Sequence, residues 1–102
     1  LLSEWFARRA TRRLHGLAGT ESLTEAEAAL LSALIFGAGR PVARDDLYLK
    51  TFRRPYRDGE KALETYIGRL RQKLTALGED GNLRLLTARG IGYRLSTART
   101  AT

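Results

Sequence analysis

Thr87-Ala88-Arg89-Gly90-Ile91-Gly92-Tyr93-Arg94-Leu95 follows closely behind a segment that reads as a helix, apolar on one face and basic on much of the rest. A basic helix followed by a basic, glycine-punctuated hairpin makes two adjacent probes suited to a nucleic-acid duplex. The helix is legible from Leu63, Ile67, Leu70, Leu74 and Leu77, which recur at steps of four and three and fall in one stripe at about 100° per residue. That stripe has to be buried. Lys61, Thr65, Gly68 and Gln72 point the opposite way on the same wheel, with Arg69 and Arg71 on its flanks. A plain solvated face is the competing interpretation. Gly68 weighs against it, because a glycine inside a helix costs roughly 1 kcal/mol relative to alanine and usually has a packing or close-approach reason.

Downstream, Gly78 can cap this helix, and Glu79-Asp80-Gly81-Asn82 is dense in turn formers. Residues 83–88 and 92–95 then fit an antiparallel hairpin around Arg89-Gly90-Ile91. Gly90-Ile91-Gly92 is not a phosphate loop, since the rest of a dinucleotide fingerprint and a following helix are missing. The Thr- and Ala-rich tail, residues 96–102, reads as frayed.

Upstream, Leu23-Thr24-Glu25-Ala26-Glu27 opens a helix, with Thr24 as N-cap and Glu27 closing a capping box. Leu30, Leu31, Leu34 and Ile35 continue it at helical spacing, and Gly37-Ala38-Gly39 supplies a stop where a left-handed residue is cheap. Arg40-Pro41-Val42 reads as a short extended connector. A second helix over residues 44–50 places Asp45 and Asp46 in its first turn, where carboxylates suit the dipole. With no third ligand nearby, that pair is not read as a metal or acid/base site. Residues 51–59 form an Arg-rich loop containing Pro55.

The first 22 residues are ambiguous on pattern alone. Leu2, Trp5, Phe6, Ala10, Leu14 and Leu17 fit an amphipathic helix, yet residues 12–17 before Ala18-Gly19-Thr20 also read as a strand entering a turn. His15 stands without a Ser, Cys or carboxylate constellation and is read as structural. Leu1-Leu2 opens the chain without Met, which suggests a fragment or a trimmed chain, and no signal peptide is read from it.

Composition sets the class. With 102 residues there is room for one domain and one modest core. Lys and Arg outnumber Asp and Glu by 18 to 11, a formal charge of +7, which favours an anionic partner over mere solubility. The charge is local: Lys50, Arg53, Arg54, Arg57, Lys61, Arg69, Arg71 and Lys73 face only Asp58, Glu60 and Glu64 in residues 50–77. The absence of Cys excludes disulfides and thiolate metal sites. No apolar run approaches the roughly 18 residues that would span a bilayer. No nucleophile and base, metal cluster or paired catalytic carboxylates can be assembled, so no enzyme, catalytic residue, cofactor or small-molecule substrate is expected.

Four pieces of the chain together resemble the OmpR/PhoB-type winged-helix output domain of bacterial two-component response regulators. They are Leu23-Thr24-Glu25-Ala26-Glu27, then residues 39–47 (Gly39-Arg40-Pro41-Val42-Ala43-Arg44-Asp45-Asp46-Leu47), then residues 66–74 (Tyr66-Ile67-Gly68-Arg69-Leu70-Arg71-Gln72-Lys73-Leu74), and residues 87–95. The resemblance implies an α+β fold, a winged helix-turn-helix with an N-terminal antiparallel sheet over residues 1–22, three helices and a C-terminal hairpin wing within a core of residues 23–95. It tips the ambiguous first 22 residues toward strands. The third helix, roughly residues 58–77, is then a recognition helix for the major groove and the wing reaches the neighbouring minor groove.

Carried over position by position, the resemblance implies DNA contacts at Lys61, Thr65, Tyr66, Gly68, Arg69 and Arg71, and wing contacts at Thr87 and Arg89. Arg89 suits a narrow A·T-rich minor groove and Arg69 a bidentate bond to guanine, while Lys61 and Arg71 suit phosphates. The loop carrying Arg53, Arg54 and Arg57 resembles a contact surface for RNA polymerase, or it binds phosphates. The implied partner is double-stranded DNA with tandem direct repeats, bound by two domains, in the cytoplasm of a bacterium; a winged helix that recruits a protein without touching DNA is the alternative. Phe52 stands where the family often has Trp, Ala43 where Ser or Thr is usual, and Thr65 and Tyr66 where Val and His are common. Gly68 removes a side chain that can contact DNA in relatives, so the preferred base sequence should differ.

Overall fold

The computed structural model describes residues 13–16, 19–78 and 80–96. The expectations for residues 1–12, the side chain of His15 and the tail beyond Ser96 lie outside these residues. Strands β1 (Arg13–Gly16) and β2 (Gly19–Ser22) pair antiparallel, with Arg13 opposite Ser22 and Gly16 opposite Gly19. This settles the ambiguous segment as strands where it is described. Helix α1 (Glu25–Phe36) follows, then the two-residue β3 (Val42–Ala43), α2 (Arg44–Phe52), α3 (Ala62–Ala76), the single-turn α4 (Gly81–Arg84), β4 (Leu85–Ala88) and β5 (Gly92–Leu95). A second sheet has the order β3-β5-β4, both pairings antiparallel.

Helix α1 begins where its capping box requires. The Glu27 amide donates to Thr24 Oγ1 at 3.1 Å, and the Thr24 amide donates back to Glu27 Oε1 at 2.9 Å. It ends at the expected Gly37-Ala38-Gly39 stop, with Gly37 right-handed and the positive φ at Ala38 (54°) and Gly39 (86°). Gly37 is needed for room instead, since a Cβ there would lie 2.8 Å from Val42 Cγ2.

The connector Pro41-Val42-Ala43 is not merely extended. Val42 and Ala43 pair with Tyr93 and Gly92, which draws the start of α2 onto the C-terminal hairpin. Ala43 supplies no side-chain cap to α2, as its sequence foretold, and the helix runs on to Phe52, two residues past the predicted end, before Arg53 turns left-handed at φ 59°.

Helix α3 starts at Ala62 rather than near Asp58, because residues 58–59 form a turn with Gly59 at positive φ. All five residues of the predicted stripe, Leu63, Ile67, Leu70, Leu74 and Leu77, are buried to 1% exposure or less. They pack with Leu30, Leu34, Leu47, Tyr48, Leu85 and Leu95 in one core that also holds Leu14 of β1. Gly78, at φ 92°, ends the helix as predicted.

The stretch after α3 was expected to be turn and then strand from Leu83. It forms α4 first, and the strand starts at Leu85. Asp80 caps this turn by accepting from the Asn82 amide at 3.0 Å, and the Gly81 amide donates to Thr75 Oγ1 at 3.1 Å. A Cβ at Gly81 would collide with the Arg71 carbonyl, so only glycine lets α4 lie this close to α3.

Candidate nucleic-acid interface

Helix α3 turns a polar and cationic face away from the core. Lys61, Thr65, Arg69 and Gln72 are exposed along it, with Gly68 between them. Thr65 Oγ1 donates to the Lys61 carbonyl at 3.3 Å, so its hydroxyl is engaged with the helix's own backbone. Tyr66 is half-buried, with its ring edge-on to Phe52 at 5.1 Å, and the Arg69 guanidinium lies 4.8 Å from the Tyr66 ring centre. Phe52, standing in the place where Trp is frequent, thus serves an aromatic chain running from Tyr56 through Tyr48 and Phe52 to Tyr66.

The hairpin of β4 and β5 stands beside this helix. Leu85 opposes Leu95 and Ala88 opposes Gly92, and the Ile91 amide donates to the Ala88 carbonyl at 2.9 Å to close the tip. Arg89 and Gly90 are exposed there, as is Ile91. Thr87 is also exposed, one strand residue short of the turn.

Arg71 joins the two probes. Its Nε donates to the Leu85 carbonyl at 2.9 Å and its Nη2 to Thr87 Oγ1 at 3.3 Å. Arg71 and Thr87, separate DNA contacts by resemblance, are brought together here, and much of the Arg71 fork is engaged within the domain. A cleft of about 190 Å³ opens between helix and wing, lined by Arg44, Glu64, Thr87, Ala88, Gly90, Ile91, Gly92 and Tyr93. Burial pushes the Tyr93 hydroxyl's pKa up, and the nearby Glu64 charge adds to this against Arg71 and Arg44. Arg44, Glu64 and Tyr93 carry no local signal for this cleft in the sequence, because only the pairing of β3 with β5 carries Arg44 to the wing.

The three arginines of the connecting loop have different settings. Arg54 Nη1 donates to both Glu60 carboxylate oxygens, at 2.8 and 2.9 Å, and the buried Tyr48 hydroxyl donates to the same carboxylate. The bond from Arg54, then that from Tyr48, hold the Glu60 carboxyl below its ordinary pKa; the Glu60 bond in turn raises Tyr48. Arg53 lies 3.9 Å from Glu25, both side chains open to water, a distance at which an exposed pair contributes little. Arg57 is exposed. The loop is therefore pinned through Arg54 and presents Arg53 and Arg57.

The sequence from residue 19 to residue 95 matches the family model described as transcriptional regulatory protein, C terminal. The chain belongs to this family. Among the relatives of this OmpR/PhoB-type domain, transcriptional regulatory protein TctD of Salmonella typhimurium is 38% identical over 74 residues, 72% of this chain and 31% of that protein. Transcriptional regulatory protein BasR of Escherichia coli is 40% identical over 73 residues, 72% of this chain and 30% of that one. The chain thus spans about a third of the length of the curated relatives it matches.

Solved structures agree with this. The DNA-binding domain of CpxR from E. coli superimposes with a TM-score of 0.74 at 28% identity, covering 85% of this chain and 84% of that one. The Klebsiella pneumoniae RstA DNA-binding domain, in complex with the RstA box, gives 0.71 at 26% identity, covering 85% of each. The fold is accordingly the winged helix of response-regulator DNA-binding domains, α+β in class. This family is one of transcription-factor domains and not of enzymes.

Proposed function

We propose that this domain binds double-stranded DNA sequence-specifically to regulate transcription, with α3 in the major groove and the β4-β5 wing in the adjoining minor groove. The observation that carries the reading is the Arg71 clasp, which ties α3 to strand β4 of the wing, with Lys61 and Arg69 exposed on the helix and Arg89 exposed at the hairpin tip. A major groove about 12 Å wide admits a helix, and a narrow minor groove attracts an arginine such as Arg89. On this reading Lys61, Thr65, Tyr66, Gly68, Arg69 and Arg89 meet the duplex, while Arg71 and Thr87 hold the wing and offer their remaining donors to phosphate. The similarity to the RstA DNA-binding domain, solved in complex with the RstA box, supports the DNA-binding reading.

At the level of the whole protein, the reading is that of a response regulator of a bacterial two-component phosphorelay, acting in the cytoplasm. Two domains then occupy tandem direct repeats. Arg53 and Arg57, exposed on a loop pinned by the bond of Arg54 to Glu60, are the residues proposed to meet RNA polymerase or flanking phosphates. No helix among the described residues is long and apolar enough to cross a membrane.

The test is fluorescence anisotropy of a labelled random duplex at several salt concentrations, followed by selection from a random-sequence pool. Affinity should fall with salt at a slope of about −0.9 per phosphate contact, and selection should converge on spaced repeats. Arg69→Glu and Arg89→Glu should each abolish binding without unfolding the domain. Unchanged affinity in both variants rejects the reading, and absence of binding at low salt favours a protein-recruiting module.

A further inference from the structure

Gly68 sits in the middle of the outward face of α3, and nothing within the fold requires a glycine there. A Cβ at position 68 would meet no heavy atom of the described residues within 4 Å, and Gly68 is not among the glycines at positive φ. Gly37, Gly81 and Gly92 differ, because at each of them a Cβ would run into neighbouring atoms of the domain. A glycine inside a helix destabilises by roughly 1 kcal/mol relative to alanine. At position 68 the domain's own packing does not offset that loss.

The neighbours of Gly68 define what the bare position can hold. One turn earlier, the Thr65 hydroxyl is bonded to the Lys61 carbonyl at 3.3 Å, which draws it back against the helix. On the other side, the Arg69 guanidinium lies 4.8 Å from the Tyr66 ring centre. Between a hydroxyl already engaged and a guanidinium lying over Tyr66, the helix leaves open space above the Gly68 Cα, a notch in the side-chain layer beside Arg69.

We infer that this notch receives the C5 methyl group of a thymine, which makes Gly68 a specificity-determining position of the recognition helix. The inference rests on the DNA-binding reading above and goes further, to one chemical group on one base. The thymine methyl is the apolar feature in the major-groove pattern, needing contact and no hydrogen bond. An alanine Cβ at position 68 would occupy the same space and hold the base away. Glycine here exchanges helix stability for closeness to the base edge, and the neighbouring Arg69 can bond to the adjoining base pair.

The test uses the duplex selected by the wild-type domain, with each thymine replaced singly by deoxyuridine, which removes the methyl and nothing else. For the wild-type protein one replacement should weaken binding about fourfold, the worth of one buried methyl group. Gly68→Ala should melt about 4 °C higher, bind the parent duplex more weakly, and show no penalty at that same replacement. Gly68→Ala binding as tightly as wild type with the same deoxyuridine penalty, or no replacement mattering to wild type, overturns the inference. Wild-type protein binding no duplex at low salt rejects the DNA-binding reading instead, and the notch with it.

Discussion

Lys73 of α3 reaches Glu27 of α1, Nζ to Oε1 at 2.6 Å, and thereby bonds the same carboxylate oxygen that closes the capping box at Thr24. Its Nζ also donates to the Ser22 carbonyl at 2.7 Å, so one ammonium ties the recognition helix to the end of β2 and the start of α1. The Glu27 side chain is 2% exposed and that of Lys73 25%. Removing one partner of such a pair leaves an uncompensated buried charge. Lys73→Met is therefore expected to destabilise the domain by about 3 kcal/mol, measured by urea unfolding at neutral pH. Glu27→Gln, which keeps the reciprocal cap, should cost less.

The same pair sets a pH dependence. Burial pushes the Glu27 carboxyl up, but the bonds from Lys73 and the Thr24 amide outweigh it, so its native pKa lies below the ordinary value. A lowered native pKa gives stability that is complete above the unfolded value of about 4.3 and fades as pH falls through the native one. Wild type and Glu27→Gln should accordingly differ at pH 7 and draw together at acid pH, once the pH has fallen through the native pKa. Unfolding curves that keep the same separation at both pH values would count against this assignment.

Arg71→Lys tests the clasp between helix and wing. Lysine keeps the charge and loses the two-point fork, and a typical hydrogen bond contributes about 1 kcal/mol. Hydrogen exchange at the β4 amides should quicken, and affinity for the selected duplex should fall by about tenfold, while binding to random duplex at low salt persists. A variant with unaltered exchange would show that Arg71 does not hold the wing.

Two glycines should respond to alanine in opposite directions. Gly81→Ala drives a methyl into the Arg71 carbonyl and should destabilise by about 2 kcal/mol. Gly68→Ala meets open space and should stabilise. Thermal melts of the two variants side by side decide the matter.

Thr51 is buried at 7% exposure, and among the described residues its Oγ1 finds no hydrogen-bond partner. Thr51→Val removes that stranded hydroxyl at nearly constant shape, and the domain should gain about 1 kcal/mol. The denaturant midpoint is the measurement, and a fall in it would show that the hydroxyl contributes to stability.

What the sequence disclosed followed from how local each signal is. Helix α1 was legible from Thr24 and Glu27, three residues apart, and α3 from five leucine and isoleucine positions on one wheel. The hairpin was legible from its glycines. Helix α4 was not, because its place depends on Thr75 and on the backbone of Arg71 in the preceding helix. Strand β3 was missed for a similar reason: two residues carry no periodicity, and only their pairing with Gly92 and Tyr93 makes them a strand. At the interface, the reading located the exposed basic residues and the wing. It did not foresee that Arg54 is held by Glu60, six residues on, or that Arg71 bonds Thr87, sixteen residues on.

Strand β3 has a mechanical consequence for reading DNA. Val42 and Ala43 hold β5 from one side, with the Arg44 amide donating to the Ile91 carbonyl at 3.0 Å, while Arg71 holds β4 from the other. A hairpin gripped on both edges cannot swing to suit whatever duplex arrives. The domain is in effect a calliper of fixed gauge, whose jaws are the recognition helix and the wing tip. DNA has to supply the fit, and sequences whose grooves already lie at that spacing cost least to deform. On the proposed DNA-binding reading, part of the selectivity is then expected to reside in the stiffness of base pairs that no side chain touches.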